Sequence, residues 1–142
     1  MVLEYLPGSS QTVRKWIMDE YKWQKETKKE VLRHSRSQIS ISFDTWTSSF
    51  CKKHVLSMIA HFVDENWERQ HLQLSMCWLY GGYSGANVAT HILPILSDWE
   101  ISNRIGYFIT DNEYLLTDKV YEIDKYLVPL YKIPIAQQPS HT

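Results

Sequence analysis

Two aspartates each close a short apolar alternation. Asp44 follows Ile39-Ser40-Ile41-Ser42-Phe43, and Asp111 follows the run from Arg104 to Thr110. A carboxylate at the edge of an apolar strand is costly to bury unless it is paired or holds a cation. Taken singly, either acid is as well explained as a turn residue. As a pair they say more, because two neighbouring strands would bring both carboxylates to one place. Such a pair offers the hard oxygen ligands that Mg²⁺ or Mn²⁺ takes, and cations held this way stabilise the attacking and leaving oxygens of phosphodiester chemistry.

Other reactive side chains form weaker sets. His54, His61, His71 and His91 lack ligand spacing and read as core or surface residues. Cys51 and Cys77 form no CxxC and no Cys/His set, so no zinc site is expected. They read as reduced packing thiols rather than a disulfide. Ser48 and Ser49 have no His–acid partners and read as turn residues. Trp46, two residues past Asp44, either offers a ring on which a base can stack or packs under the sheet end, and packing is its commoner use.

The elements that must position the two acids follow from periodicity. After Pro7-Gly8, Ser9 or Ser10 caps a helix whose apolar residues (Val13, Trp16, Ile17, Tyr21) recur at three and four. Its Trp16-Ile17-Tyr21 end is expected to pack, and its Lys25–Glu30 stretch to be exposed. Ile39, Ile41 and Phe43 alternate with Ser40, Ser42 and Asp44, which makes a strand with the acid on the serine face. His54 to Asp64 and Arg69 to Tyr80 read as two further strands, joined by a short turn. Gly81-Gly82-Tyr83-Ser84-Gly85 breaks the pattern. Ser84 then caps a helix that Pro94 should kink or break. Arg104 to Asn112 is a fourth strand, and Tyr114 to Tyr126 a helix. The tail carries three prolines and is expected to fray.

This order suggests an α/β fold with a mixed sheet. The first three strands form an antiparallel meander, the fourth lies parallel to the first and beside it, and helices cover the faces. That is the plan of an RNase H-like fold, here preceded by a helix. A chain of 142 residues with a net charge of −1 is one ordinary domain with no electrostatic bias of its own. Between Gln11 and Ser37, however, eight Lys or Arg stand against four acids, so the first helix is basic. A solvated mixed-charge face explains this more simply than a nucleic-acid patch. No apolar run approaches the roughly 20 residues of a membrane span. The start, MVLEYLPGSS, lacks signal-peptide features, which points to a nuclear or cytoplasmic location.

SFDTWTS resembles the first-aspartate motif of the hAT superfamily of DNA transposases. The segment from Ser9 to Ser48 looks like the approach to their catalytic domain, and HVLSMIAHFVDENW is similar to their second strand. YSGANVATHILPILSDWEISNRIGYFITDN looks like their helix and fourth strand, which end in the second catalytic aspartate. The D-x-WTS and TDN motifs occur in order, 67 residues apart. The resemblance implies that Asp44 and Asp111 are the first two acids of an Asp-Asp-Glu triad and the ligands of Mg²⁺ or Mn²⁺.

The departures from the family pattern carry their own expectations. The family's H-S/T-G-E-N reads Tyr83-Ser84-Gly85-Ala86-Asn87 here, and D-N-A-x-N reads DNEYL. No zinc finger precedes the core. The third acid should come from a later helix. Asp118, Glu122 and Asp124 lie too soon after Asp111 and read as exposed helix acids. The resemblance therefore implies a truncated remnant. Residues 1–37 form a basic helix and 38–142 a partial catalytic domain that is inactive by itself. Weak, salt-sensitive DNA binding through Arg14 to Arg36 and self-association through an open sheet edge are expected. The alternative is a non-catalytic interaction protein that binds a protein or DNA partner.

Overall fold

Alternating apolar and polar residues build the centre of the molecule. The computed structural model describes residues 6–82 and 84–110. The elements are α1 (Ser10–Arg33), β1 (Ile39–Thr47), β2 (His54–Val63), β3 (Arg69–Leu79), α2 (Gly85–Asp98) and β4 (Ile105–Ile109). The sheet order is β3-β2-β1-β4, with β1 antiparallel to β2, β2 antiparallel to β3, and β4 parallel to β1. This is the expected partial RNase H-like sheet. The helix expected at Tyr114 to Tyr126 lies outside the described residues.

One face of the sheet is dry. Ile39, Ile41 and Phe43 of β1, Leu56, Met58, Ala60 and Phe62 of β2, and Ile105 of β4 are buried there. β3 needs a device to join them. Its inward residues are Leu72 and Leu74, then Cys77 and Leu79, so the alternation changes phase midway. A bulge absorbs the change: Met58 pairs with Ser75 and Ile59 with Gln73, leaving Leu74 as the extra residue. The Trp99 indole N–H donates to the Leu74 carbonyl at 3.0 Å and ties the bulge to the end of α2.

α2 covers this face with Val88, Ala89, Ile92 and Leu96. Ser84 caps it by accepting from the Asn87 N–H at 3.2 Å. The Asn87 amide donates back to the carbonyls of Tyr80 and Gly82, which fastens the Gly81-Gly82 turn. His91 accepts from the Tyr80 N–H through Nε2 and bonds the Asn87 carbonyl through Nδ1 at 2.8 Å, which requires the proton on Nδ1. Of the kink or local break expected at Pro94, the break is absent: α2 is continuous from Gly85 to Asp98. Pro94 lies on the exposed side, where water can serve the carbonyl that loses its helical donor. The helix ends with Glu100 in the left-handed region (φ 59°), its N–H donating to Ser97 and that of Ile101 to Leu96. Glycine usually fills that position. Glu100 holds it while its carboxylate pairs with Arg33 at 2.6 Å, which keeps its pKa below the ordinary Glu value.

The packing of α1 differs from expectation. Ser9 caps it, but Val13, Trp16, Ile17 and Tyr21 are exposed, Trp16 by 51%. In the stretch expected in solvent, Glu26, Thr27, Lys28 and Glu30 are exposed, but Lys25 and Lys29 face the body. Lys25 pairs with Asp98 and lies 5.2 Å from the Trp99 ring centre, and Lys29 and Arg33 reach Glu100. Acids at the end of α2 therefore draw in the basic side of α1, and only Leu32 enters the core. Arg104 closes the junction. Its guanidinium donates to the carbonyls of Leu32 (2.8 Å) and Arg33 (2.7 Å) in the last turn of α1 and of Ser35 (2.7 Å) just beyond it, where a cation suits the helix C-terminus.

The β2–β3 turn rests on Asp64, which is buried. Oδ1 accepts from the N–H groups of Asn66 (2.9 Å) and Glu68 (3.0 Å), and Oδ2 from the Gln70 amide at 2.8 Å. The backbone bond from Glu68 leads in holding its pKa below the ordinary Asp value.

Two outcomes follow for stability. Arg104→Ala should cost about 2–3 kcal/mol in urea unfolding, because three carbonyls lose a charged donor, and Arg104→Lys should restore less than half. A loss under about 0.5 kcal/mol would deny the clamp. Asp64 contributes stability that is complete above its unfolded pKa of about 3.9 and is lost as pH falls through the lower folded value. The urea midpoint of Asp64→Asn should therefore vary less below about pH 4 than that of the unmodified chain.

Candidate functional site

Asp44 lies within β1 and not at its end. The strand continues to Thr47, and Asp44 pairs with Ser57 of β2. The apolar alternation stops at Phe43, but the pairing with β2 continues, and pairing decides where a strand ends. The side chain falls on the serine face, as expected, and is exposed rather than buried. Among the described residues, no side-chain hydrogen bond or ion pair engages its carboxylate. Asp disfavours strand interiors, so an unengaged Asp in an inner strand has no local structural reason.

The register fills in the surroundings. On the face away from α2, four rows cross the three antiparallel strands: Ser40–His61–His71, Ser42–Ile59–Gln73, Asp44–Ser57–Met76 and Trp46–Val55–Trp78. β4 runs beside β1 with Ser42 opposite Ile109. Asp44, Ser42, Ser57, Ile109 and Thr110 line one depression of about 180 Å³. β4 thus delivers its last described residue to the depression that holds Asp44. Asp111, the second expected ligand, lies outside the described residues, as do Asp118, Glu122 and Asp124. A larger hollow of about 550 Å³ lies at the other end of this face, between Ser40, His61, His71 and Tyr107, where Ser42 Oγ and His61 Nε2 are 2.7 Å apart.

The other expected residues divide: Ser48, Ser49 and Cys77 fall as expected, and Cys51 and Trp46 do not. Cys51 is exposed in the β1–β2 loop and not packed, and a hydrogen bond with Ser48 leads in lowering its pKa. Cys77 is half-buried, and both thiols are free. Ser48 and Ser49 are loop residues, with the Ser48 N–H donating to the Lys53 carbonyl at 2.8 Å. Trp46 does not pack under the sheet end: it is 38% exposed, on the same face as Asp44. Trp78, 42% exposed, shares its row and escaped the sequence reading. Its position depends on the β3 bulge, which periodicity does not reveal. Of the basic residues of α1, Lys25, Lys29 and Arg33 are held in ion pairs. Among the described residues, no helix is long and apolar enough to cross a membrane.

With this geometry in hand, comparison with known proteins is informative. Residues 42–134 match the family model of the ZBED1 RNase-like domain. The chain is 29% identical over 101 residues to the putative AC transposase of Zea mays, across 71% of this chain and 12% of that protein. The putative AC9 transposase of Zea mays gives the same figures. Over 76 residues the chain is 30% identical to the putative transcriptional regulator tpeD of Talaromyces stipitatus, across 54% of this chain and 9% of that protein. The match to each of these relatives thus covers about an eighth of its length or less.

If Asp44 serves a ligand rather than the fold, replacing it should not destabilise the chain. Asp44→Thr, with a β-branched residue in an inner strand, should raise stability by about 0.5–1 kcal/mol in urea unfolding. A loss above about 1 kcal/mol would give the carboxylate a structural role.

Proposed function

Because the chain belongs to the ZBED1 RNase-like domain family and is related to hAT-type transposases, we propose that it is a transposase-derived domain that holds a divalent cation between Asp44 and Asp111. One observation carries the reading. Ser42 lies opposite Ile109 in a parallel pairing, Thr110 lines the depression that holds Asp44, and Asp111 is the next residue of the chain. The donors fit a hard cation: the residues lining the depression supply the Asp44 carboxylate and the hydroxyls of Ser57, Thr110 and Ser42, the last bonded to His61 Nε2, with no sulfur among them. A bound Mg²⁺ or Mn²⁺ would supply charge stabilisation to a phosphodiester. In this reading β1 holds the Asp44 carboxylate on an open face of the sheet, where a strand of DNA can approach it.

Cation binding without cleavage is the activity proposed for this chain. Two carboxylates supply part of the clamp that in-line displacement needs, and loosened geometry is costly in that reaction. The DNA cutting and joining of a transposase is thus the activity to which the domain is related. A second reading, a non-catalytic interaction protein, is favoured by the exposed Trp16, Ile17 and Tyr21 of α1 and by Tyr107 and Ile109 on β4.

Carboxyl-selective NMR with added Mg²⁺ tests the first reading. Both Asp44 and Asp111 should shift with one apparent affinity, and Asp44→Asn should weaken the response at Asp111. Supercoiled plasmid should be nicked no faster than by the Asp44→Ala/Asp111→Ala variant. Unmoved carboxyl signals in excess Mg²⁺, in a chain that self-associates, would leave the interaction reading standing.

A further inference from the structure

The row next to Asp44 on the open face is aromatic. Trp46 of β1 and Trp78 of β3 lie on either side of Val55, and both are substantially exposed. Neighbouring strands are about 4.8 Å apart, so the two indoles stand on backbones separated by roughly 10 Å. Val55 between them is buried although the face around it is open. Lys53 lies against the outer ring, its Nζ 5.1 Å from the Trp78 ring centre. The loop that begins beyond Trp46 carries Phe50, wholly exposed, and Lys52. From Thr45 to His54 there is no acid, so this end of the face is cationic as well as aromatic.

We infer that Trp46 and Trp78, with Lys52 and Lys53, form a platform that binds single-stranded DNA next to Asp44, by stacking unpaired bases on the indoles and drawing phosphates to the lysines. Exposed aromatic rings on a sheet face, bordered by cations, are how sequence-tolerant single-strand binding is built, because every base has a π-face. Duplex DNA keeps its bases stacked on one another and offers the rings nothing to stack against. Asp44 is two residues before Trp46 on one strand and on the same face, so a nucleotide stacked on Trp46 lies next to the carboxylate. The inference rests on the reading of the domain as one that handles DNA, and it adds residues that position the strand without touching the cation.

The test uses the full chain and a fluorescein-labelled oligothymidylate at low salt, followed by anisotropy. The unmodified chain should bind it more tightly than a duplex of the same length or an oligouridylate. Trp46→Ala and Trp78→Ala should each weaken binding roughly tenfold. Trp46→Phe should retain most of the affinity, and Lys53→Glu should weaken binding and reduce its salt dependence. Both tryptophans are on the surface, and matching thermal unfolding would show that the variants keep their fold. Equal affinity for the duplex, tighter binding of the oligouridylate, or affinity unchanged in the Trp46→Ala/Trp78→Ala variant would overturn the inference. The Asp44 carboxyl response to Mg²⁺ is read on the same samples. A normal response without oligothymidylate binding removes the platform and leaves the cation site. Binding that depends on the two tryptophans without that response supports the platform and removes the cation site.

Discussion

Backbone hydrogen bonds between β1 and β4, beginning with the Ile39 N–H donating to the Arg104 carbonyl at 2.8 Å, determine where each residue of β4 falls beside β1. A slip of one residue would turn β4 over, burying Ile109 and moving Ile105 out of the core. Three things hold the register. Ile105 is buried opposite Ile39, the Arg104 guanidinium clamps the end of α1, and Gly106 leaves room for Gln38, whose side chain would lie 3.1 Å from an added Cβ. The register shifts once along this pair, between Ile39 and Ile41. The depression that holds Asp44 therefore lies at the opposite end of β4 from its anchor.

The two faces of the sheet divide the work. α2 and the end of α1 bury one face, and the large apolar residues gathered there supply the burial that stabilises the fold. The other face carries serines, histidines, Asp44 and two tryptophans, few of which the core needs. An exposed carboxylate in an inner strand and exposed indoles beside it are unfavourable choices for stability alone. Function is the usual reason for residues that break local rules without an evident gain in packing.

Much of this was legible from periodicity. The order of strands and helices, the face on which Asp44 lies and the Ser84 cap all follow from local patterns, and the parallel fourth strand from the crossover that α2 makes. What escaped is set by distant contacts. Asp44 seemed to end its strand because apolar alternation stops at Phe43, whereas pairing with β2 carries β1 on to Thr47. The apolar row of α1 predicted packing, but Asp98 and Glu100 select its basic side, and charge placed so far along the chain leaves no local trace. Pro94 was a breaker by composition, yet it falls on the outer side of α2. The Trp46–Trp78 row depends on a β3 bulge that no period announces.

The most direct test of the central claim is a cross-link between positions 44 and 111. Two cysteines on adjacent strands can be joined only when their Cα atoms lie about 4.4–6.8 Å apart. In a chain carrying Cys51→Ser and Cys77→Ser, the pair Asp44→Cys and Asp111→Cys is oxidised, and the intramolecular disulfide is measured by mass spectrometry under non-reducing conditions. Near-complete bridging is predicted, with little when Asp44→Cys is combined instead with Asp118→Cys. A pair at 44 and 111 that stays reduced, or bridges no better than the 44 and 118 pair, would contradict the account.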